Sequence, residues 1–217
     1  MSNQIQAQLL QIDQPPIFLV DFKKENDKIK EECFKIFDSS DKVSANNQLA
    51  GNLEHEYNAS ERISTFFLSS FSSLLEQVIR NTSDNESEEL DWSMSHCWIN
   101  FQKKYEFNPM HHHDGFYSFV YWAQIPYDIE EEYKQNHSKN SKYPCPSNFS
   151  FAYSNMLGKI CDYPVPLSKT NEGNAMLFPS KMKHMVYPFY TSDDYRVSIS
   201  GNIHVKIKSS GRIPDIF

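Results

Sequence analysis

Apolar and polar positions change period near Trp92, dividing the chain into a helical first part and a β-rich remainder. Between Lys23 and Phe37, residues Ile29, Cys33, Phe34, Ile36 and Phe37 recur at steps of three and four. Lysines and glutamates fill the other face, which predicts an amphipathic helix. A second helix is predicted over Glu61–Arg80, with Ser60 as its N-cap and Ile63, Phe66, Phe67, Phe71, Leu74, Leu75 and Ile79 as its apolar face. Leu9–Phe22 reads as an extended strand interrupted by Pro15-Pro16, and Asn81–Glu86 as a turn. Asp38–Ser60 reads as polar loop, with a short ordered contact at Leu49-Ala50-Gly51-Asn52.

Beyond Trp92 come short runs rich in aromatic and β-branched residues: Cys97–Phe101, Phe116–Ile125, Phe149–Tyr153, Ala175–Phe178 and Tyr195–Lys208. Bounded by Pro, Gly, Asn or Asp, they predict strands of a sandwich or barrel. The chain therefore reads as mainly β with N-terminal helices: a single domain over 1–217, with a helical support region at 1–90 and a β core at 91–210. The polar excursion between Tyr127 and Asn148, which carries Glu130-Glu131-Glu132, reads as a lid or insertion whose charges are solvated.

With 217 residues, 39% of them hydrophobic, the chain can bury a real core. A net charge of −7 argues against nucleic acid or an anionic membrane as partner. No apolar run approaches the roughly 20 residues of a membrane span. Ile17-Phe18-Leu19-Val20 is too short for a secretory signal and lacks a charged flank, so the expected location is the cytoplasm. Cys33, Cys97, Cys145 and Cys161 form no close pair, and four free thiols are expected, with a Cys145–Cys161 disulfide the alternative.

The chemistry concentrates at His111-His112-His113-Asp114, just ahead of an aromatic strand. On an extended chain, residues two apart share a face, so His111 and His113 form one pair and His112 and Asp114 the other. Either pair supplies two ligands of a facial metal site. His184, on a distant segment after Pro179-Ser180, is the candidate third ligand. Twelve positions further, Arg196 and Ser198 also share a face. A guanidinium there binds a carboxylate through parallel N–H donors with a hydroxyl beside it. The alternative is a surface pair of Arg196 with Asp193 or Asp194.

Taken together, this ordered set resembles the 2-oxoglutarate- and iron-dependent oxygenases. More narrowly, it resembles the group of such oxygenases common in marine phage and bacterial genomes, within the wider prolyl-hydroxylase-like superfamily. The resemblance lies in Trp98-Ile99-Asn100-Phe101-Gln102-Lys103-Lys104, Glu106-Phe107-Asn108-Pro109, His111-x-His113-x-Gly115 and Ser118-Phe119-Val120. It resumes at Leu177-Phe178-Pro179-Ser180, His184 and Arg196-Val197-Ser198-Ile199-Ser200-Gly201-Asn202, and spans roughly half the chain. It implies a double-stranded β-helix (jelly-roll, cupin-like) barrel holding Fe(II), with 2-oxoglutarate as cosubstrate and O2 as oxidant. The narrower group's spacing favours His111, His113 and His184 as ligands, while the wider superfamily's His-x-Asp falls on His112 and Asp114.

The resemblance further implies that Arg196 and Ser198 anchor the cosubstrate, with Asn100 or Tyr121 adding a hydrogen bond. No catalytic residue beyond the metal ligands is implied. The reaction implied is hydroxylation of a C–H bond, in a protein side chain or a small molecule, with release of succinate and CO2. Two other readings remain at this point: a cupin-like zinc or manganese enzyme that does not use 2-oxoglutarate, and a ligand-binding barrel without activity.

Overall fold

The computed structural model describes residues 16–82 and 88–214. The expected strand's first part (9–15), and most of the turn expected over 81–86, lie outside them. The remainder contains two antiparallel sheets. Six strands form the first: β1 (Phe18–Asp21), β2 (Glu56–Asn58), β3 (Leu90–Gln102), β5 (Tyr117–Gln124), β8 (Asn174–Pro179) and β10 (Arg196–Ile207), in the order β1-β8-β5-β10-β3-β2. Four form the second: β4 (Asn108–His111), β6 (Phe149–Ser154), β7 (Ile160–Val165) and β9 (Lys183–Val186), in the order β4-β9-β6-β7. This is the jelly-roll arrangement, but the sheets face each other without closing into a barrel.

Helices α1 (Asn26–Asp38) and α2 (Glu61–Thr82) cover the outer face of the six-stranded sheet. Their apolar stripes, including Ile29 and Cys33 from α1 and Ile63, Phe67, Phe71 and Leu75 from α2, meet the odd-numbered strand residues. Those are Cys97, Ile99 and Phe101 of β3, Tyr117, Phe119 and Tyr121 of β5, and Val197, Ile199 and Ile203 of β10. Phe67 and Phe71 are fully buried, with ring centroids 4.8 and 4.9 Å from Phe119. Each such phenyl stabilises the fold by roughly 1.5–3 kcal/mol. Ser60 caps α2 by accepting the Ile63 N–H (3.3 Å). Gly201 lets Phe119 approach, since a Cβ there would lie 2.7 Å from its ring.

Even-numbered residues of the same strands face the second sheet. Val120, Trp122, Met176 and Phe178 join Phe149 and Phe151 in a separate cluster. A sheet buried on both faces carries apolar residues at both parities, so β5 lacks the alternation that would distinguish its sides.

The expected loop over 38–60 carries more structure than its polarity suggests. It contains a short 3-10 turn at Asn46–Gln48, strand β2 against β3, and a bridge from Asn52 to Phe107. All four cysteines are free thiols, and burial raises the pKa of Cys33 and Cys97. No helix among the described residues is long and apolar enough to cross a membrane.

Glu56 of β2 is fully buried, and its Oε1 meets no donor among the described residues. Burial, assisted by the Glu106 carboxylate, raises its pKa from 4.5 to about 7. Between these values the unfolded chain gives up a proton that the folded protein keeps. Stability from this group therefore falls as pH rises from about 4.5 to about 7 and then levels off. The loss is on the order of 2 kcal/mol after allowing for solvent screening. Urea titrations across this interval should show the decline, and Glu56→Gln should flatten it. An unchanged slope in the variant would assign the effect to another group.

Candidate metal centre and anion pocket

Strands β4 and β9 pair so that His111 lies directly opposite His184. His113 follows two residues later on the same side, and the imidazole ligand atoms of all three lie within 4.8 Å of one another. Their ring centroids are 4.3–5.0 Å apart. The alternation separates the rival pairs: His111 and His113 are half-buried, whereas His112 and Asp114 are exposed. Asp114 turns outward to Lys181 (2.7 Å). His112 and Asp114 are thus outside the cluster that His111 and His113 form with His184.

Two hydrogen bonds orient the trio. His111 Nδ1 lies 2.7 Å from the Pro109 carbonyl and His184 Nδ1 lies 3.0 Å from the Met182 carbonyl. A carbonyl only accepts, so each Nδ1 carries the hydrogen and each Nε2 keeps its lone pair for a metal. Burial lowers the pKa of all three rings, to about 3 for His113 and His184, and the neighbouring imidazoles add to the effect. The trio is therefore neutral at physiological pH, as ligation requires. Phe149 stacks on His184 at 5.3 Å, Phe178 meets its face edge-on at 4.9 Å, and Trp98 flanks His113. The chain turns after His113 at Gly115, whose φ of +117° suits glycine and whose Cβ would crowd the Ile203 carbonyl. The His113 N–H is held by the Ser180 carbonyl (2.9 Å).

The trio opens into a cavity also lined by Trp98, Asn100, Gln102, Trp122, Arg196 and Ser198. Among the described residues no carboxylate lines it. The register explains the grouping: Arg196 pairs with Gln102, Ser198 with Asn100 and Ser200 with Trp98, all on the inner face. A roomier cleft of about 770 Å³ between β1, β8 and the β6–β7 hairpin contains no metal-ligating histidine, so size does not identify the reactive site.

Arg196 is only 2% exposed and has no carboxylate partner among the described residues. Asp193 pairs with Lys104 instead. All five guanidinium N–H groups donate to neutral oxygens. Nε (3.1 Å) and Nη2 (2.6 Å) share Gln102 Oε1, Nη1 reaches the Tyr127 hydroxyl and the Ser147 carbonyl (both 2.8 Å), and Nη2 also reaches the Tyr187 carbonyl (3.0 Å). Asn100 donates to Ser198 Oγ (3.3 Å), leaving its own Oδ1 buried without a partner among the described residues.

Tyr121 is a correction to the expected set. Its parity places it on the helix side, where its hydroxyl donates to Asn26 Oδ1 (2.5 Å). The 127–148 segment also departs from expectation. It contains α3 (Ile129–Tyr133), and Glu132 of its acidic run is fully buried. The Glu132 carboxylate accepts the Tyr190 and Thr191 N–H groups and the Thr191 hydroxyl. The two ends of the segment, Tyr127 and Ser147, hold Arg196. These contacts escape sequence reading because they use a left-handed backbone at Ser147 (φ 63°) and main-chain carbonyls. For Gln102 the available signal was its spacing of two residues from Asn100, which places both on one face of β3.

Residues 96–202 match the model of a family described as "Putative 2OG-Fe(II) oxygenase". No curated protein sequence matches the chain. Among solved structures, a prolyl-4-hydroxylase from Pseudomonas putida is similar at TM-score 0.53 and 12% identity, over 88% of this chain and 92% of that one. A prolyl hydroxylase from Trichoplax adhaerens, in complex with a hypoxia inducible factor oxygen degradation domain peptide fragment, is similar at TM-score 0.52 and 12% identity, over 90% and 85%. HygX from Streptomyces hygroscopicus, with nickel, 2-oxoglutarate and hygromycin B bound, gives TM-score 0.52 and 9% identity, over 88% and 83%. At these identities the likeness concerns the fold.

Proposed function

Because the chain belongs to the 2OG-Fe(II) oxygenase family, with Fe(II), 2-oxoglutarate and O2 as its cofactor set, we propose that it hydroxylates a C–H bond of a peptide side chain or small molecule. The observation that carries this reading is a single cavity lined by three neutral imidazoles and a buried guanidinium, with no carboxylate among the described residues of its walls. His111 and His184 would hold the metal through Nε2, with His113 as the third ligand. When bound, Fe(II) supplies the oxygen activation that couples decarboxylation of 2-oxoglutarate, to succinate and CO2, with oxidation of the substrate.

The chain's own residues bind and orient. Arg196 provides the positive charge for the distal carboxylate, and the Ser198 hydroxyl and Asn100 amide provide polar contacts beside it. Phe149, Phe178 and Trp98 exclude water around the imidazoles. Both substrate classes stay in the reading because similar folds accommodate a protein peptide in the Trichoplax complex and hygromycin B in HygX. A zinc or manganese cupin would have no use for a buried guanidinium that has no carboxylate partner among the described residues.

Anaerobic addition of Fe(II) and 2-oxoglutarate should produce a charge-transfer band at about 500 nm. His111→Ala should abolish it and His112→Ala should retain it. Metal uptake without the band would sink the oxygenase reading, and the reverse pattern in the two variants would overturn the ligand assignment.

A further inference from the structure

The buried guanidinium presents a difficulty for an incoming carboxylate, because none of its N–H groups is free. Its partners differ in what they face. Of the four residues that accept from Arg196, Gln102 alone lines the cavity. Tyr127, Ser147 and Tyr187 approach from elsewhere. The side of the guanidinium directed at the cavity is thus the Nε/Nη2 fork, covered by one amide oxygen.

The geometry points to Gln102 as a specificity-determining residue for the cosubstrate: its Oε1 holds the place of a carboxylate in the Arg196 fork and is displaced when the distal carboxylate binds. This inference rests on the proposed use of 2-oxoglutarate by this site. One oxygen serving two N–H donors is a poorer match to the fork than a carboxylate, which offers one oxygen to each. Gln102 is also neutral, so it satisfies the hydrogen bonds while leaving the buried charge uncompensated. An anion therefore gains what the amide cannot supply, and a 2-oxo acid without a distal carboxylate does not. The displaced amide has an acceptor on the same inner face, two residues along β3: the unpartnered Oδ1 of Asn100. Its present tether is a single bond from Nε2 to the Glu106 carbonyl (2.5 Å).

The test is anaerobic calorimetry of 2-oxoglutarate and of pyruvate, with and without Fe(II), on the wild type, Gln102→Glu and Gln102→Ala. The wild type should prefer 2-oxoglutarate. Gln102→Glu installs an anion in the fork and should weaken 2-oxoglutarate by about 100-fold, removing the preference over pyruvate while iron affinity is kept. Gln102→Ala vacates the fork and should bind 2-oxoglutarate at least as tightly as the wild type. Wild-type affinity in Gln102→Glu would overturn the inference. So would equal weakening in both variants, which would make Gln102 a support for Arg196 rather than a stand-in for the ligand. If Gln102→Glu does not fold, Gln102→Ala decides by the direction of its change. A wild type that takes up iron but binds no 2-oxoglutarate would instead remove the proposed function, and this inference with it.

Discussion

Replacing His184 with alanine is expected to abolish iron retention and to reduce turnover to background, a loss of about 1000-fold or more. The residue is 4% exposed and faces His111 across the β4–β9 pair, so no other described side chain can take its place. Two histidines from one segment do not define a facial site, and the ligand from β9 is what closes it. The imidazole also fills space among Phe149, Phe151 and Phe178. Its removal should additionally cost about 1–3 kcal/mol of stability. Metal analysis after gel filtration separates the two effects, with His112→Ala as the folded control that retains iron. A folded His184→Ala protein that keeps one iron per chain would show that the metal lies elsewhere.

Arg196→Ala should be damaging in a different way. Four acceptors lose their donor together: the buried Gln102 Oε1, Tyr127 hydroxyl and Ser147 carbonyl, and the half-buried Tyr187 carbonyl. Each orphaned group costs about 1–3 kcal/mol, while removal of an uncompensated buried charge works in the opposite direction. A net destabilisation of about 3 kcal/mol is expected in urea titration, with 2-oxoglutarate affinity lost. Iron affinity should persist in whatever fraction remains folded, because the imidazole trio takes no contact from the guanidinium. Arg196→Lys keeps the charge but not the fork, so it should recover part of the binding and little of the stability. Unchanged stability and affinity in Arg196→Ala would show that the network has no energetic role.

The outcome at Tyr121 and Asn100 explains how far strand periodicity reaches. Both were candidates for the cosubstrate, and both lie on strands of the six-stranded sheet. Period two groups the residues of one strand into two sets without identifying which set faces the second sheet, and here both faces are buried. Asn100 proved to be on the inner side with Ser198, and Tyr121 on the outer side beneath the helices. At the histidines the same rule separated His111 and His113 from His112 and Asp114 without choosing between the pairs, and the structure shows the second pair to be the exposed one.

By itself, the sequence determined the two amphipathic helices, the principal strands and which residues share a face: His111 with His113, His112 with Asp114, and Arg196 with Ser198. Each follows from local periodicity and side-chain chemistry, which act between residues close in the chain. Tertiary structure alone decided that His184 meets that pair, that Asp114 points away, and that Gln102, Tyr127, Ser147 and Tyr187 enclose the guanidinium. Those contacts join residues far apart in the chain, and several use main-chain oxygens that every residue possesses, so only the register of packed strands selects them.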